Sequence, residues 1–509
     1  MKSQYPHESE KNLYPVEFHP VKENGAILVY DVEEVRLIKL NDLEFEIVEE
    51  LNETPLTLKQ LKKRIPNREE DAVETAVNEM KEIKLIAETP FKMVSKEEIS
   101  ASETGKLDQY DQRNPMHIAL NVTHKCNLDC DYCYGDGGTY GGPPAHMTRE
   151  TAKQAVDFLF DISGEKEKSC RITLFGGEPL LHFELVKFVI DYARKKAAQY
   201  DKNIYFGITT NGTLLDDENS DYLLNEKVDV TFSLDGPRQI HDSNRKFKQN
   251  KNKSSFDLTH PNVLRFIEKA ARLKNPFYAL RATLTRPALQ NYLELRDFFN
   301  GFDTKNVSFD YAEYKHASPG NLSIDDSTLE AFGKSLKRIS NEVRTNLESD
   351  YISVFSRALS SLHFKKKKKT YCASPGYLYL GISSEGEIFP CHRFVGHKDT
   401  KLGNVWDGFD RPEWLKKLVK ANIYSSNVCS NCWARYACGG LCLATGYYFC
   451  KKLYLTDEAE IEPVHCKIFK MIYEEALLLY AYLSENAKTD TEKFQSVLQE
   501  EYVPSHIMS

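Results

Sequence analysis

Cys126, Cys130 and Cys133 fall within eight residues as Cys-x3-Cys-x2-Cys. Thiolates this close on one loop can wrap a single metal centre. Structural zinc usually closes with four ligands. Three thiolates are one short, unless His124, cramped against Cys126, completes the set. A four-iron cubane held by the same three thiolates keeps one iron open for an exogenous ligand. A second group has the spacing Cys372-x13-Gly386-x4-Cys391, Cys429-x2-Cys432-x5-Cys438-x3-Cys442, then Cys466. Taken alone, Cys429, Cys432, Cys438 and Cys442 fit a four-cysteine zinc ribbon as well as an iron–sulfur site. Cys450 is a spare thiol, either a further ligand or a buried bystander after Tyr447-Tyr448-Phe449. Cys170 has no thiol near it in sequence and reads as a packed side chain.

The elements that must position these thiols alternate. Strands are predicted at His117–Val122, Arg171–Phe175, Ile204–Thr209, Val228–Ser233, Phe277–Thr285 and Val307–Asp310. Helices are predicted at Ala152–Ile162, Phe183–Lys195 and Val263–Leu273. Repeated strand–helix units imply an α/β parallel sheet or barrel. Its polar motifs sit just after strands, at the edge where such folds bind ligands. Ahead of it, residues 15–100 form a cysteine-free module: a hairpin of Ala26–Tyr30 and Val35–Leu40, then helices at Phe45–Leu51, Thr57–Ile65 and Glu70–Ile86. This order suggests a winged-helix-like domain. The remaining divisions are a linker at 101–115, the barrel at 116–340, a bridging region at 341–370, the thiol-rich region at 371–470, and a helix and tail at 471–509. Lys467–Leu483 is the predicted terminal helix. The glycine-rich stretch 137–144 lacks the ending of a phosphate loop and reads as a mobile flap. Lys365–Lys369 reads as a solvated loop, with attraction of an acidic peptide as the functional alternative.

The chain has 509 residues and 12 cysteines, with 67 basic and 75 acidic side chains for a net charge of −8. That balance argues against a bulk nucleic-acid binder. No apolar run approaches the roughly 18 residues of a membrane span, and the start lacks an apolar signal core. A cytoplasmic protein with reduced thiols is expected.

Cys126-Asn127-Leu128-Asp129-Cys130-Asp131-Tyr132-Cys133-Tyr134, with Thr123 before it, resembles the signature of radical S-adenosylmethionine (SAM) enzymes. The resemblance implies a partial (β/α)6 TIM-like barrel whose three cysteines hold a [4Fe–4S] cluster with SAM on the open iron. Gly176-Gly177-Glu178-Pro179 resembles the family segment that contacts the SAM amino group; the bland alternative is a plain turn. Thr210-Asn211 and Ser233-Leu234-Asp235-Gly236 match later strand ends that bind ribose and the SAM tail. Tyr132 joins this cofactor set. Arg281 resembles the arginine that pairs the SAM carboxylate, against the alternative of a structural salt bridge.

The second thiol group, glycine included, resembles the SPASM extension of radical SAM peptide maturases. The family implies two auxiliary [4Fe–4S] clusters, three clusters in all. By analogy one uses Cys372, Cys391 and Cys442, and the other Cys429, Cys432, Cys438 and Cys466. With three ligands the former keeps an open iron, unless Cys450 closes it. Residues 15–100 resemble the recognition element that binds the leader of a ribosomally made precursor peptide. The strings Phe389–Gly396 and Cys429–Tyr436 resemble thioether-forming maturases, the freyrasin-type ranthipeptide enzymes above sactipeptide ones. The implied reaction joins a peptide cysteine sulfur to carbon, Cβ of Asp or Glu ahead of Cα, with a flavodoxin- or ferredoxin-type reductant. Alternatives are thioether installation on a quinohemoprotein amine dehydrogenase subunit, a sulfatase-type formylglycine maturase, and a zinc-binding protein without activity. No nucleic-acid or membrane partner is implied.

Overall fold

A computed structural model describes residues 11–91, 115–275, 277–302, 306–312, 324–345, 354–369, 371–372, 376–420, 422–440, 442–445 and 464–486. Cys450, the tail beyond 486 and all but residue 115 of the predicted linker lie outside the described residues.

The N-terminal module begins with β1 (Asn12–Pro15), β2 (Phe18–Glu23), β3 (Ala26–Asp31) and β4 (Arg36–Leu40). A helix Asp42–Glu53 follows, opened by a capping box between Asn41 and Glu44. Then come β5 (Leu56–Thr57), helices Leu58–Arg64 and Glu70–Glu82, and β6 (Ile86–Ala87). The expected last helix is shorter at its C-terminal end. Lys84 turns left-handed at φ 57°, and Ile86–Ala87 pairs with β1 instead. The expected hairpin is present, extended by β2 into a three-stranded meander. Strand β3 is buried from both sides. Val29 packs into the module's own core, while Leu28 and Tyr30 belong to the main core of the molecule. The alternation of a strand makes that division.

The barrel strands are β7 (His117–Thr123), β9 (Ser169–Gly176), β10 (Asn203–Thr210), β11 (Asp229–Ser233), β13 (Tyr278–Leu284) and β14 (Val307–Tyr311); β8 (Leu128–Cys130) and β12 (Arg245–Phe247) are short additions. The six pair in parallel in chain order. This is the expected α/β class. Cys170, Ile172 and Leu174 alternate into the core along β9, so Cys170 is a packed thiol. The helix after β12 starts earlier than its periodicity suggests, at Phe256, because Pro261 and the polar residues before it mask the first turns.

The thiol-rich region is more regular than expected. Strands β15 (Tyr379–Ile382) and β16 (Glu387–Phe389) form a hairpin, and β15 joins the barrel sheet parallel to β7. Gly386 supplies the left-handed turn, at φ 81°. Two further strands, β17 (Gly403–Asn404) and β18 (Gly408–Phe409), complete a ten-stranded sheet. The terminal helix runs from Val464 to Asn486, so Cys466 lies on it and the expected boundary at 470/471 falls inside it. Likewise a helix Asp326–Thr345 spans the expected boundary at 340/341. Among the described residues no helix is long and apolar enough to cross a membrane.

Candidate functional site

Strand β7 ends at Thr123, and the chain turns directly into the loop carrying Cys126, Cys130 and Cys133. The Gly176-Gly177-Glu178 segment ends β9 beside it. Gly177 N donates to Thr123 O at 2.9 Å and Glu178 N to Lys125 O at 2.8 Å. A Cβ on Gly176 would sit 2.3 Å from Thr123 O, and one on Gly177 2.1 Å from Lys125 O. The two glycines therefore permit a backbone approach that no other residue allows.

Glu178 is buried beneath this contact. Its Oε1 accepts from Thr210 Oγ1 at 2.7 Å and Leu180 N at 3.0 Å, and its Oε2 from Asn211 N at 2.8 Å. Burial outweighs these three bonds and lifts its pKa from 4.5 to about 7. Asn211 Nδ2 donates to Asn127 Oδ1 at 2.9 Å and approaches Cys126 Sγ at 3.9 Å. Leu128 N donates to the same sulfur at 3.4 Å. Glu178, Thr210 and Asn211 thus converge under the first thiol loop.

Tyr132 and Asp235 meet differently. Tyr132 donates its hydroxyl to Asp235. Asp235 also accepts from Arg245 Nε at 2.9 Å, Arg245 Nη2 at 3.2 Å and Thr283 N at 3.0 Å. Arg245 was not singled out by the sequence, because no spacing links it to the cysteines; a strand pairing does, with Arg245 opposite Cys130 in the β8–β12 ladder. Ser233 and Arg281 are register partners on β11 and β13. Arg281 forms an ion pair with Asp310 on β14, the salt-bridge alternative noted above.

The three thiols share one neighbourhood, and burial pushes Cys126 up to about 12 and Cys130 well above its ordinary value. Such thiols stay protonated until a metal displaces the proton. Among the described residues, no three His, Cys, Asp or Glu side chains converge tightly enough for a single metal ion. Cubane thiolates bind different irons and stand wider apart. His124 does not complete a zinc set: its Nε2 accepts from Ser384 N at 3.3 Å, on the β15–β16 turn. Soft sulfur donors, N–H groups aimed at sulfur and glycine backbone packed against Cys126 suit an iron–sulfur cluster.

The stretch 137–144, expected as a mobile flap, is latched at Gly137 and Tyr140, while Gly141, Gly142, Pro143 and Pro144 are exposed. Tyr140 is buried and donates to Gly176 O at 2.8 Å, and Lys248 Nζ donates to Gly137 O at 2.6 Å.

In the second group, Cys429, Cys432, Cys438, Cys442 and Cys466 line one cavity. Cys391 has Cys442 and Cys372 as electrostatic neighbours, so Cys442 stands between the two expected ligand sets. Tyr371 Oη donates to Cys429 Sγ and Arg393 Nη1 to Cys442 Sγ, both at 3.4 Å. His392 lies between the thiol groups. Its Nδ1 is 2.6 Å from Tyr379 Oη, and its ring is 6.1 Å from that of Tyr134. Burial and the Arg393 and Arg281 charges hold it neutral. Lys365–Lys368 are exposed, yet the run is tied down: Lys368 Nζ donates to Cys438 O at 3.4 Å, Lys368 N to Tyr436 O at 2.9 Å, and Lys369 O accepts from Ile423 N at 3.0 Å. It therefore borders the second thiol group.

The loop from Cys432 to Cys438 also meets the N-terminal module. Arg435 is fully buried and reaches Glu17 at 2.5 and 2.6 Å and Glu33 at 2.6 Å. Trp433 stacks on His19 with ring centroids 3.8 Å apart. Sequence reasoning missed this junction because its partners lie about four hundred residues apart.

The radical SAM superfamily model matches residues 120–280, which hold the first thiol loop, Glu178, Asn211 and Asp235. A cysteine-type anaerobic sulfatase-maturating enzyme of Clostridium perfringens is 23% identical over 394 residues, covering 74% of this chain and 100% of that one. The antilisterial bacteriocin subtilosin biosynthesis protein AlbA of Bacillus subtilis is 24% identical over 347 residues, 63% of this chain and 68% of that one. The solved structure of native anSMEcpe with AdoMet and the Kp18Cys peptide shares the fold, with a TM-score of 0.57 and 22% identity over 73% of this chain and 99% of that one. Residues 120–280 form a radical SAM domain, a domain type that binds SAM at an iron–sulfur cluster, and the chain is an enzyme.

Proposed function

We propose that this radical SAM enzyme modifies a ribosomally made precursor peptide by installing thioether crosslinks from cysteine sulfur to carbon. The observation that carries the reading is the junction at Arg435, which joins the N-terminal module to the loop bearing Cys432 and Cys438. A radical site, a second thiol group and a module of the kind that binds leaders form one body. The sulfatase-maturating and subtilosin relatives support a peptide substrate.

In this reading Cys126, Cys130 and Cys133 hold one [4Fe–4S] cluster. Cys372, Cys391 and Cys442 hold a second, with Cys450 its rival fourth ligand, and Cys429, Cys432, Cys438 and Cys466 hold a third. When bound, SAM and the first cluster supply hydrogen-atom abstraction. Glu178, with Thr210 and Asn211 orienting it, faces the SAM ammonium as a carboxylate. Gly176 and Gly177 offer backbone to the cofactor, and Ser233 and Arg281 line the neighbouring strand ends. The module receives the leader by adding a strand to its sheet edge. An external flavodoxin- or ferredoxin-type protein supplies electrons, and the setting is cytoplasmic.

Net chemistry separates this from the formylglycine reading. Each thioether removes one hydrogen from carbon and one from sulfur and keeps the sulfur. Formylglycine formation from cysteine loses the sulfur. Anaerobic reaction with a cysteine-rich peptide bearing a leader, followed by mass spectrometry and thiol alkylation, decides. A product lighter by two hydrogens per link, with alkylation-resistant cysteine, is expected. Loss of sulfur moves the assignment to formylglycine formation.

A further inference from the structure

We propose that Arg245 and Asp235 are a charge-balanced pair that sets the reduction potential of the cluster at Cys126, Cys130 and Cys133. The proposal rests on the reading that those thiols hold an iron–sulfur cluster. Arg245 lies opposite Cys130 in an antiparallel ladder, so its charge is carried into the thiol loop by backbone pairing. Its guanidinium lies 5.5 Å from the Tyr132 ring centre, two residues beyond Cys130. Side-chain exposure is 8% for Arg245 and 0% for Asp235, so water screens neither charge well.

Asp235 has no acceptor capacity left over for a ribose. Oδ1 accepts from Arg245 Nη2 and Thr283 N, and Oδ2 from Arg245 Nε and Tyr132 Oη. The direct cofactor contact implied by resemblance is thereby replaced by an electrostatic role. Reduction adds one electron to the cluster. A buried cation favours that charge and a buried anion opposes it. Together the two residues clamp the thiol loop with no net charge. Separately they pull the potential in opposite directions.

The test is EPR-monitored potentiometry of the anaerobic holoenzyme, with the first cluster identified by the change in its signal on adding SAM. Asp235→Asn should favour reduction at least tenfold, a rise of about 59 mV for one electron. Arg245→Gln should disfavour it by a similar factor. Arg245→Lys keeps the charge and should restore most of the potential. Tyr132→Phe keeps both charges and should move the equilibrium less than threefold. SAM affinity of Asp235→Asn, read by calorimetry, should stay within threefold of wild type. Should Arg245→Gln not fold, Asp235→Asn against Tyr132→Phe still decides.

Charge variants that shift the potential in the same direction, or not at all, overturn the proposal. So does loss of SAM binding in Asp235→Asn with an unmoved potential, which would return Asp235 to the cofactor ligands. A wild type with no SAM-responsive cluster signal overturns the reading of the thiols themselves and the proposal with it.

Discussion

Each thiol group leans on one buried arginine, and the two clamps differ in charge and reach. Arg245 pairs with Asp235 alone, ten residues away, and the result is neutral. Arg435 pairs with two carboxylates, Glu17 and Glu33, and its hydrogen bonds span 418 and 402 residues. Tyr436 adds a hydroxyl to Glu33 at 2.9 Å. The first clamp closes within the barrel and leaves the loop poised for a small cofactor. The second carries a net negative charge and fastens the front of the chain to its back. The N-terminal module and the second thiol group are one mechanical unit, whereas the first thiol loop is clamped from within the barrel and touches the thiol-rich region only through contacts such as Ser384 N to His124 and His392 against Tyr134.

The largest test of this division is to remove the first loop's ligands. Replacing Cys126, Cys130 and Cys133 with Ala should abolish SAM cleavage and lower the iron count from about twelve to about eight. Chemical iron and sulfide analysis after anaerobic purification checks it. Loss of all iron would show that the thiol groups assemble together and would erase the contrast.

Breaking the second clamp should cost less but reach further along the chain. Arg435→Met leaves Glu17 and Glu33 without their cation. Removing one partner of a buried ion pair costs about 3–5 kcal/mol, and the partial exposure of both carboxylates, at 33% and 22%, places this variant near 3. The unfolding free energy from chemical denaturation should fall by that measure. Limited proteolysis should release the N-terminal module, while the SAM-responsive EPR signal persists. Loss of that signal with the module still attached would break the comparison.

These clamps also mark where the sequence is legible. Six barrel strands and the site motifs at their ends are local signals, each read from a few residues of alternation and a following turn. All six strands lie where expected, and Glu178, Thr210 and Asn211 do meet under the first loop. The hairpin β15–β16 hides in an irregular-looking segment because its worth as strand comes from pairing with β7, some 260 residues earlier. Arg245 and Arg435 stayed invisible for the same reason. Lone arginines carry no spacing, and only folding gives them partners. The latched 137–144 stretch misled because glycine-rich composition signals freedom, while buried Tyr140 removes it.

In the barrel, beside that clamp, Glu178 should give a pH signature of its own. A neutral carboxyl cannot oppose an ammonium, so SAM affinity should fall about tenfold per unit as pH drops below about 7. Glu178→Gln should flatten that profile and weaken binding about 10- to 100-fold at pH 8. The cofactor-free protein should show the opposite trend in stability. Its folded pKa lies above the ordinary 4.5, so the folded state holds the proton more tightly. Stability is greatest below pH 4.5 from this group and declines by about 3 kcal/mol as pH rises to about 7. Calorimetric titrations of SAM across pH 6–8 check the first effect. A flat wild-type profile would remove Glu178 from the ammonium.

The smallest effect belongs to a cysteine in neither clamp. Cys170 lies on β9, 2% exposed, in the same core that backs both thiol loops. It differs from the ten cysteines of the two thiol groups in lying among core side chains, with Ser163 as its hydrogen-bond partner. Cys170→Ala removes one sulfur from a packed interior, and a small cavity of that size costs about 1 kcal/mol. The unfolding free energy should fall by that much, and iron content should not move at all. The ligand thiols should behave in reverse: replacing Cys391 or Cys442 should lower iron content well before global stability changes. Iron loss in Cys170→Ala would mean that core packing, not ligand placement, limits cluster assembly, and both arginine clamps would then be secondary to the barrel core.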